Sequence, residues 1–254
     1  MNPLDLSPLA LSFLIFALTI GGILLGVVLR RALPKHHLSK DSQEVVRLGV
    51  GLVATIAALV LGLLIAAAKS SFDTQSGQVK QITADLILID NLLAFYGPEA
   101  RPIRAEMRAA IGQVVDRIWS EKRLNGAAPF ESSVAADKVY LDIQALTPSN
   151  DVQRSIQARA IQAATDFAQT RLLLFVESGN LIPVPFLAIM VFWLVIIFAS
   201  FSLFSELNPT VFAFLALFAL SASCALFLIL ELSQPFTGLM AISNVPLHTA
   251  LAPL

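Results

Sequence analysis

In the second apolar stretch of this 254-residue chain, Arg47, Gly51, Thr55, Ala58, Gly62, Ala66 and Lys69 follow one another at steps of 4, 4, 3, 4, 4 and 3. On a helix of 3.6 residues per turn that spacing makes one continuous stripe of small side chains with a cation at each end. Such a stripe can line a pathway for small anions, with Thr55 as a weak polar contact and Arg47 or Lys69 concentrating anions at the mouths. Close packing of two helices uses the same residues, because lipid offers no hydrophobic drive and small side chains let backbones approach. The first apolar stretch repeats the pattern in Thr19, Gly22, Gly26 and Arg30.

Other candidates for chemistry are sparse. Glu231 ends the last long apolar stretch and directly precedes Pro235-Phe236, which makes these three residues candidates for gating. Glu206 sits in a short turn before Asn208-Pro209, where a carboxylate can snorkel or cap. His36 and His37 are adjacent, so they do not share a helix face as an i, i+4 metal clamp would, and His248 has no nearby acid. Trp119 with Arg117, Lys122 and Arg123 can form a cation–π cluster or a partner contact, and a half-buried helix face accounts for them equally well. Gly49-Val-Gly51-Leu-Val-Ala54 has dinucleotide-binding spacing, but it sits inside an apolar stretch without the βαβ context that motif requires. There is no GxSxG, HExxH, CxxC or Walker motif. No catalytic residue, metal site or cofactor is assigned, and the chain is read as a non-enzyme.

The elements that must hold these residues follow from composition. Hydrophobic residues make up 56% of the chain and charged ones 14%, against about 25% charged in soluble domains. A net charge of −1 gives no field to recruit nucleic acid. All 17 basic residues lie between Arg30 and Arg171. Four uncharged apolar stretches, about 10–29, 48–68, 181–205 and 207–230, are long enough to cross a bilayer as helices. The lone Cys224 supports neither a disulfide framework nor a zinc site.

Between the second and third spans lies a polar segment, 69–180. There Val79, Ile82, Leu86, Ile89, Leu93 and Tyr96 step by three and four, a coiled-coil-like seam that continues the second span. Breaks at Gly97-Pro98, Asn125-Gly126 to Pro129 and Thr147-Pro148 divide the segment into helices near 70–96, 99–122, 131–146 and 149–178. Ser149, Asn150 or Asp151 suits the cap of the last one. The fold class is therefore all-α: a four-span transmembrane helical protein with a helical extramembrane domain. Its domains are a first hairpin (1–68), the helical domain (69–180), a second hairpin (181–231) and a Pro-rich tail at the membrane surface (232–254). Arg30, Arg31, Lys35, Lys40 and Arg47 make the first loop cytoplasmic by the positive-inside rule, which puts the helical domain outside.

The order of parts, with Glu231-Leu-Ser-Gln-Pro235-Phe236-Thr-Gly238 and Val245-Pro246-Leu247-His-Thr249, resembles bestrophins. Arg30-Arg-Ala-Leu-Pro34-Lys-His36, Tyr96-Gly-Pro and Ile118-Trp119 are similar to bacterial bestrophin-like domain membrane proteins. The resemblance implies a homo-oligomer, pentameric as in bestrophins, that lies in a bacterial inner membrane and conducts a small anion. Bestrophins also bind calcium at acids after Pro-Phe-Gly and keep the middle domain in the cytosol. Here no acid follows Phe236, so the clasp is not carried over, and the basic loop argues for a periplasmic domain. The alternative is a non-conducting scaffold or sensor whose helical domain binds a partner.

Overall fold

The computed structural model describes residues 7–34, 39–119, 134–177, 184–205, 208–236, 238–243 and 245, with 113–119 and 134–136 described through their backbone alone. Among these residues the chain is all-α, as its periodicity predicts. Helix α1 runs Pro8–Ala32, α2 Lys40–Tyr96, α3 Arg101–Trp119, α4 Val134–Ala145, α5 Asp151–Glu177, α6 Val184–Phe204 and α7 Pro209–Leu232. Four of them, α1, α2, α6 and α7, are long and apolar enough to cross a membrane.

Local chemistry sets the helix ends. Ser7 caps α1 by accepting the Ala10 N–H at 3.2 Å, with Pro8 in the first turn. Ser39 Oγ accepts the Ser42 N–H ahead of α2. That helix continues unbroken for 57 residues, apolar over 48–68 and amphipathic beyond. It stops at Gly97, whose φ of 129° lies in the region that only glycine enters without steric cost, and Pro98 follows at once. Of the three candidate caps for α5, Asn150 accepts the Gln153 N–H at 2.7 Å. Pro209 opens α7, and Ser233 closes it by donating its N–H to the Ile229 carbonyl.

The chain divides into two compact units, Met1–Ser71 with Asn180–Gln234 and Phe72–Gly179 with Pro235–Leu254. In the first, α1 packs most extensively on α6 and then on α7, around a core of Ile23, Phe198, Leu215 and Ala219. A second cluster joins Val50 and Ala57 of α2 to Met190 and Ile197 of α6. In the second unit every residue of the seam from Val79 to Tyr96 is buried, packed with Ile103, Met107, Ile143, Ala160 and Ala163. Phe236 and Ile242 of the 232–254 segment join that core, and the Ile242 N–H closes a turn onto the Pro235 carbonyl at 2.7 Å.

Candidate functional site

Within the first unit α2 has two unlike sides. Val50, Ala57 and Ala68 are buried, and Val53, Val60 and Leu64, with Trp193 of α6, pack against the cluster of Val50, Ala57, Met190 and Ile197. The other side is open. Arg47, Gly51, Thr55, Ala58, Gly62, Ala66 and Lys69 are all exposed, and a methyl group added at Gly51 or Gly62 would meet nothing within 4 Å. Within one chain only 11% of the most apolar window of α2 is buried, against 28–33% in the other three spans. At 1.5 Å per residue the stripe from Arg47 to Lys69 covers about 33 Å, close to the roughly 30 Å of a hydrocarbon core.

The stripe offers few polar groups between those ends. Thr55 donates its hydroxyl proton to the Gly51 carbonyl of its own helix at 2.9 Å, which leaves the oxygen lone pairs and the methyl facing outward.

The matching stripe of α1 faces inward. Thr19, Gly22 and Gly26 are buried. A Cβ at Gly22 would stand 2.9 Å from the Val195 carbonyl, and one at Gly26 would fall on the Ser202 hydroxyl and the Ala199 carbonyl. Ser202 donates to the Ile23 carbonyl at 2.8 Å across that contact, and Arg30 donates to the Ser205 carbonyl at its end. In α1, close packing is what the small residues do.

The candidates near the tail are assigned to different units. Glu231 is buried at 3% exposure in the first unit, whereas Pro235 and Phe236 belong to the second, where Phe236 is a core residue. The burial of Glu231, a gating candidate by its sequence position, is not legible from its place at the end of an apolar run. His36, His37, Glu206, His248 and the side chains of Arg117, Trp119, Lys122 and Arg123 lie outside the described residues. Among the described residues no three His, Cys, Asp or Glu side chains come together.

The second unit holds an ionic cluster that spacing alone did not suggest. Buried Asp90 accepts Arg104 Nε at 3.0 Å, Arg104 NH2 at 2.7 Å and Arg108 NH2 at 3.0 Å. The Arg104 hydrogen bonds hold its carboxyl below the usual range, opposing burial, and Arg108 adds to the effect. The turn at Gly97-Pro98 folds α3 back against α2 and so brings residues 14 and 18 positions apart together. Asp85, beyond the span on the same helix, is instead pushed up by burial although Gln81 donates to it at 2.8 Å.

Four membrane-length helices, with an amphipathic helical unit between the second and third, define an all-α, multi-pass membrane protein. The chain belongs to the Bestrophin-like family, whose domain it matches over residues 17–247. No curated protein matches it in sequence. Among solved structures it is similar to a bacterial bestrophin homologue from Klebsiella pneumoniae carrying an Ile-to-Thr substitution, at 13% identity and a TM-score of 0.66 over 94% of this chain and 96% of that one. A Leu-to-Thr form of the same homologue aligns at 15% identity and a TM-score of 0.61, covering 93% and 96% of the two chains. At such identities the likeness is one of fold.

Proposed function

We propose that this protein assembles as a homo-oligomer, a pentamer by its resemblance, and conducts small anions across a bacterial inner membrane. In this reading the open stripe of α2 lines the path. The observation that carries it is the stripe itself: a membrane-length row of small residues that nothing in its own chain covers, flanked by exposed Leu48, Leu52, Leu59 and Leu63 and bracketed by Arg47 and Lys69. Cations at the ends raise the local anion concentration, and small side chains leave width for a hydrated ion. Membership of the Bestrophin-like family supports the same class of activity. Glu231, Pro235 and Phe236 are the gating candidates, and no catalytic or metal chemistry is invoked.

Purified protein in liposomes should pass chloride. A silent, correctly assembled oligomer would overturn the proposal. The basic first loop supports a periplasmic helical domain. Ser39→Cys and Ser132→Cys, each in a Cys224→Ser background, should then react with impermeant reagents from opposite faces; reaction of both from one face would reverse that reading.

A second reading, a scaffold whose helical domain binds a partner, is favoured by Ile87, Leu88 and Phe95, apolar residues of the amphipathic part of α2 that are 41%, 49% and 76% exposed. Silent vesicles together with a defined protein partner retained by the full-length oligomer would favour it over conduction.

A further inference from the structure

At the end of the first unit that carries the basic loop, α2, α6 and α7 leave a groove of about 250 Å³ between them. Val46 and Val50 of α2, Phe201 and Phe204 of α6 and Leu215 of α7 form its apolar walls, and Arg47, Ser200 and Ser205 add the polar part of its lining. The volume is below the roughly 300–1,000 Å³ that encloses a whole drug-sized ligand, so the groove fits part of a molecule. Arg47 marks the start of the apolar 48–68 stretch, so the groove opens at the depth where acyl chains meet headgroups.

The charges there are specific. Arg47 makes no hydrogen bond or ion pair with any described residue, although Glu44 is one turn away. Arg30 is engaged with the Ser205 carbonyl, and Gln43 donates to the Phe204 carbonyl at 3.2 Å, so the backbone beside the groove is already tied down. Exposed Arg31 and Lys40 add positive charge to the same loop, against exposed Asp41 and Glu44. A mostly apolar slot beside an uncommitted guanidinium, at headgroup depth, complements one ligand class: an acyl chain carried on a glycerophosphate, two of whose phosphate oxygens the planar guanidinium fork can bind with two hydrogen bonds.

We propose that this groove binds an anionic phospholipid, the first part of an acyl chain lying between α2, α6 and α7 and the headgroup phosphate on Arg47. Arg47 is also the cation at one mouth of the proposed pathway, so the two proposals share this residue, and bound lipid and chloride flux are read separately.

The test is native mass spectrometry of the full-length oligomer extracted from bilayers of equal phosphatidylglycerol and phosphatidylcholine. The wild type should retain phosphatidylglycerol in several-fold preference over phosphatidylcholine. Arg47→Gln should lower that retention about fivefold, the effect of losing one basic residue at an anionic surface. Val211→Trp, which fills the groove from α7, should abolish retention of both lipids. Equal retention of the two lipids by the wild type, or unchanged retention in Arg47→Gln, overturns the proposal, as does a groove occupied by a side chain of a neighbouring copy. Arg47 is exposed, so its substitution reports even if the Val211 variant does not assemble. Because the readout is bound lipid, a silent pore leaves this site standing, and a lipid-free groove leaves the conduction proposal standing.

Discussion

Helices α1 and α2 carry nearly the same pattern of small residues ending in a basic one, and they use it in opposite ways. Along α1 the pattern is consumed inside the chain: Gly22 and Gly26 let the backbone of α6 come so near that no Cβ fits. Along α2 it stays unused, with open space over Gly51 and Gly62. A small-residue stripe therefore specifies close approach or open width without naming the neighbour. The neighbour is decided by which helix the rest of the fold brings alongside.

The largest effect that can break this comparison is expected at Gly26. Gly26→Leu should cost ~3 kcal/mol or more, since the clash is with backbone and a buried hydroxyl rather than with a mobile side-chain tip. The thermal midpoint in detergent reads it, and a variant as stable as the wild type would show that α1 and α6 are not packed this closely. Next is Asp90, which asks whether a loss in the helical unit leaves both stripes alone. Asp90→Asn should destabilise by about 2 kcal/mol at neutral pH, because the charge and one of the two oxygens that accept from the guanidinium groups are lost. Its folded-state pKa is lowered, so its contribution is complete above the unfolded value near 4 and is lost as pH falls through the folded one. The gap between variant and wild type should narrow under acid unfolding below about pH 4.

Gly62→Phe sharpens the contrast from the other side. It should cut chloride flux at least tenfold while changing stability by less than ~1 kcal/mol, because nothing in the chain lies within 4 Å of a Cβ built there. A loss as large as that at Gly26 would place a packed neighbour over α2. The smallest effect is Gly51→Ala, expected to be neutral or to stabilise by up to ~1 kcal/mol through helix propensity alone. Destabilisation there, read from the same thermal midpoints, would contradict an open face.

Much of the fold was legible because the signals were local. Apolar runs and the three-and-four seam located all four spans and the buried side of the second half of α2, and the Gly97-Pro98 break fell where a positive φ is required. The unread features all depend on residues distant in sequence. Asp90 meets Arg104 and Arg108 only across that turn. The groove joins Val46 and Arg47 to side chains of α6 and α7 more than 150 residues later. Spacing alone also left open which stripe would be covered, because Gly22 and Gly62 look alike until α6 is placed against one of them.

The hydrogen bond from Ser202 to the Ile23 carbonyl bridges 179 positions, and this has a consequence for biosynthesis. About 150 residues must be made between the end of α1 and the start of α6. At roughly 5–20 residues per second, α1 waits on the order of 10–30 s before its partner exists. Throughout that interval its glycine-lined side has to be shielded by lipid or by the insertion machinery. Slowed translation or delayed membrane insertion ahead of α6 should therefore lower the yield of folded protein more than the same delay placed after α7.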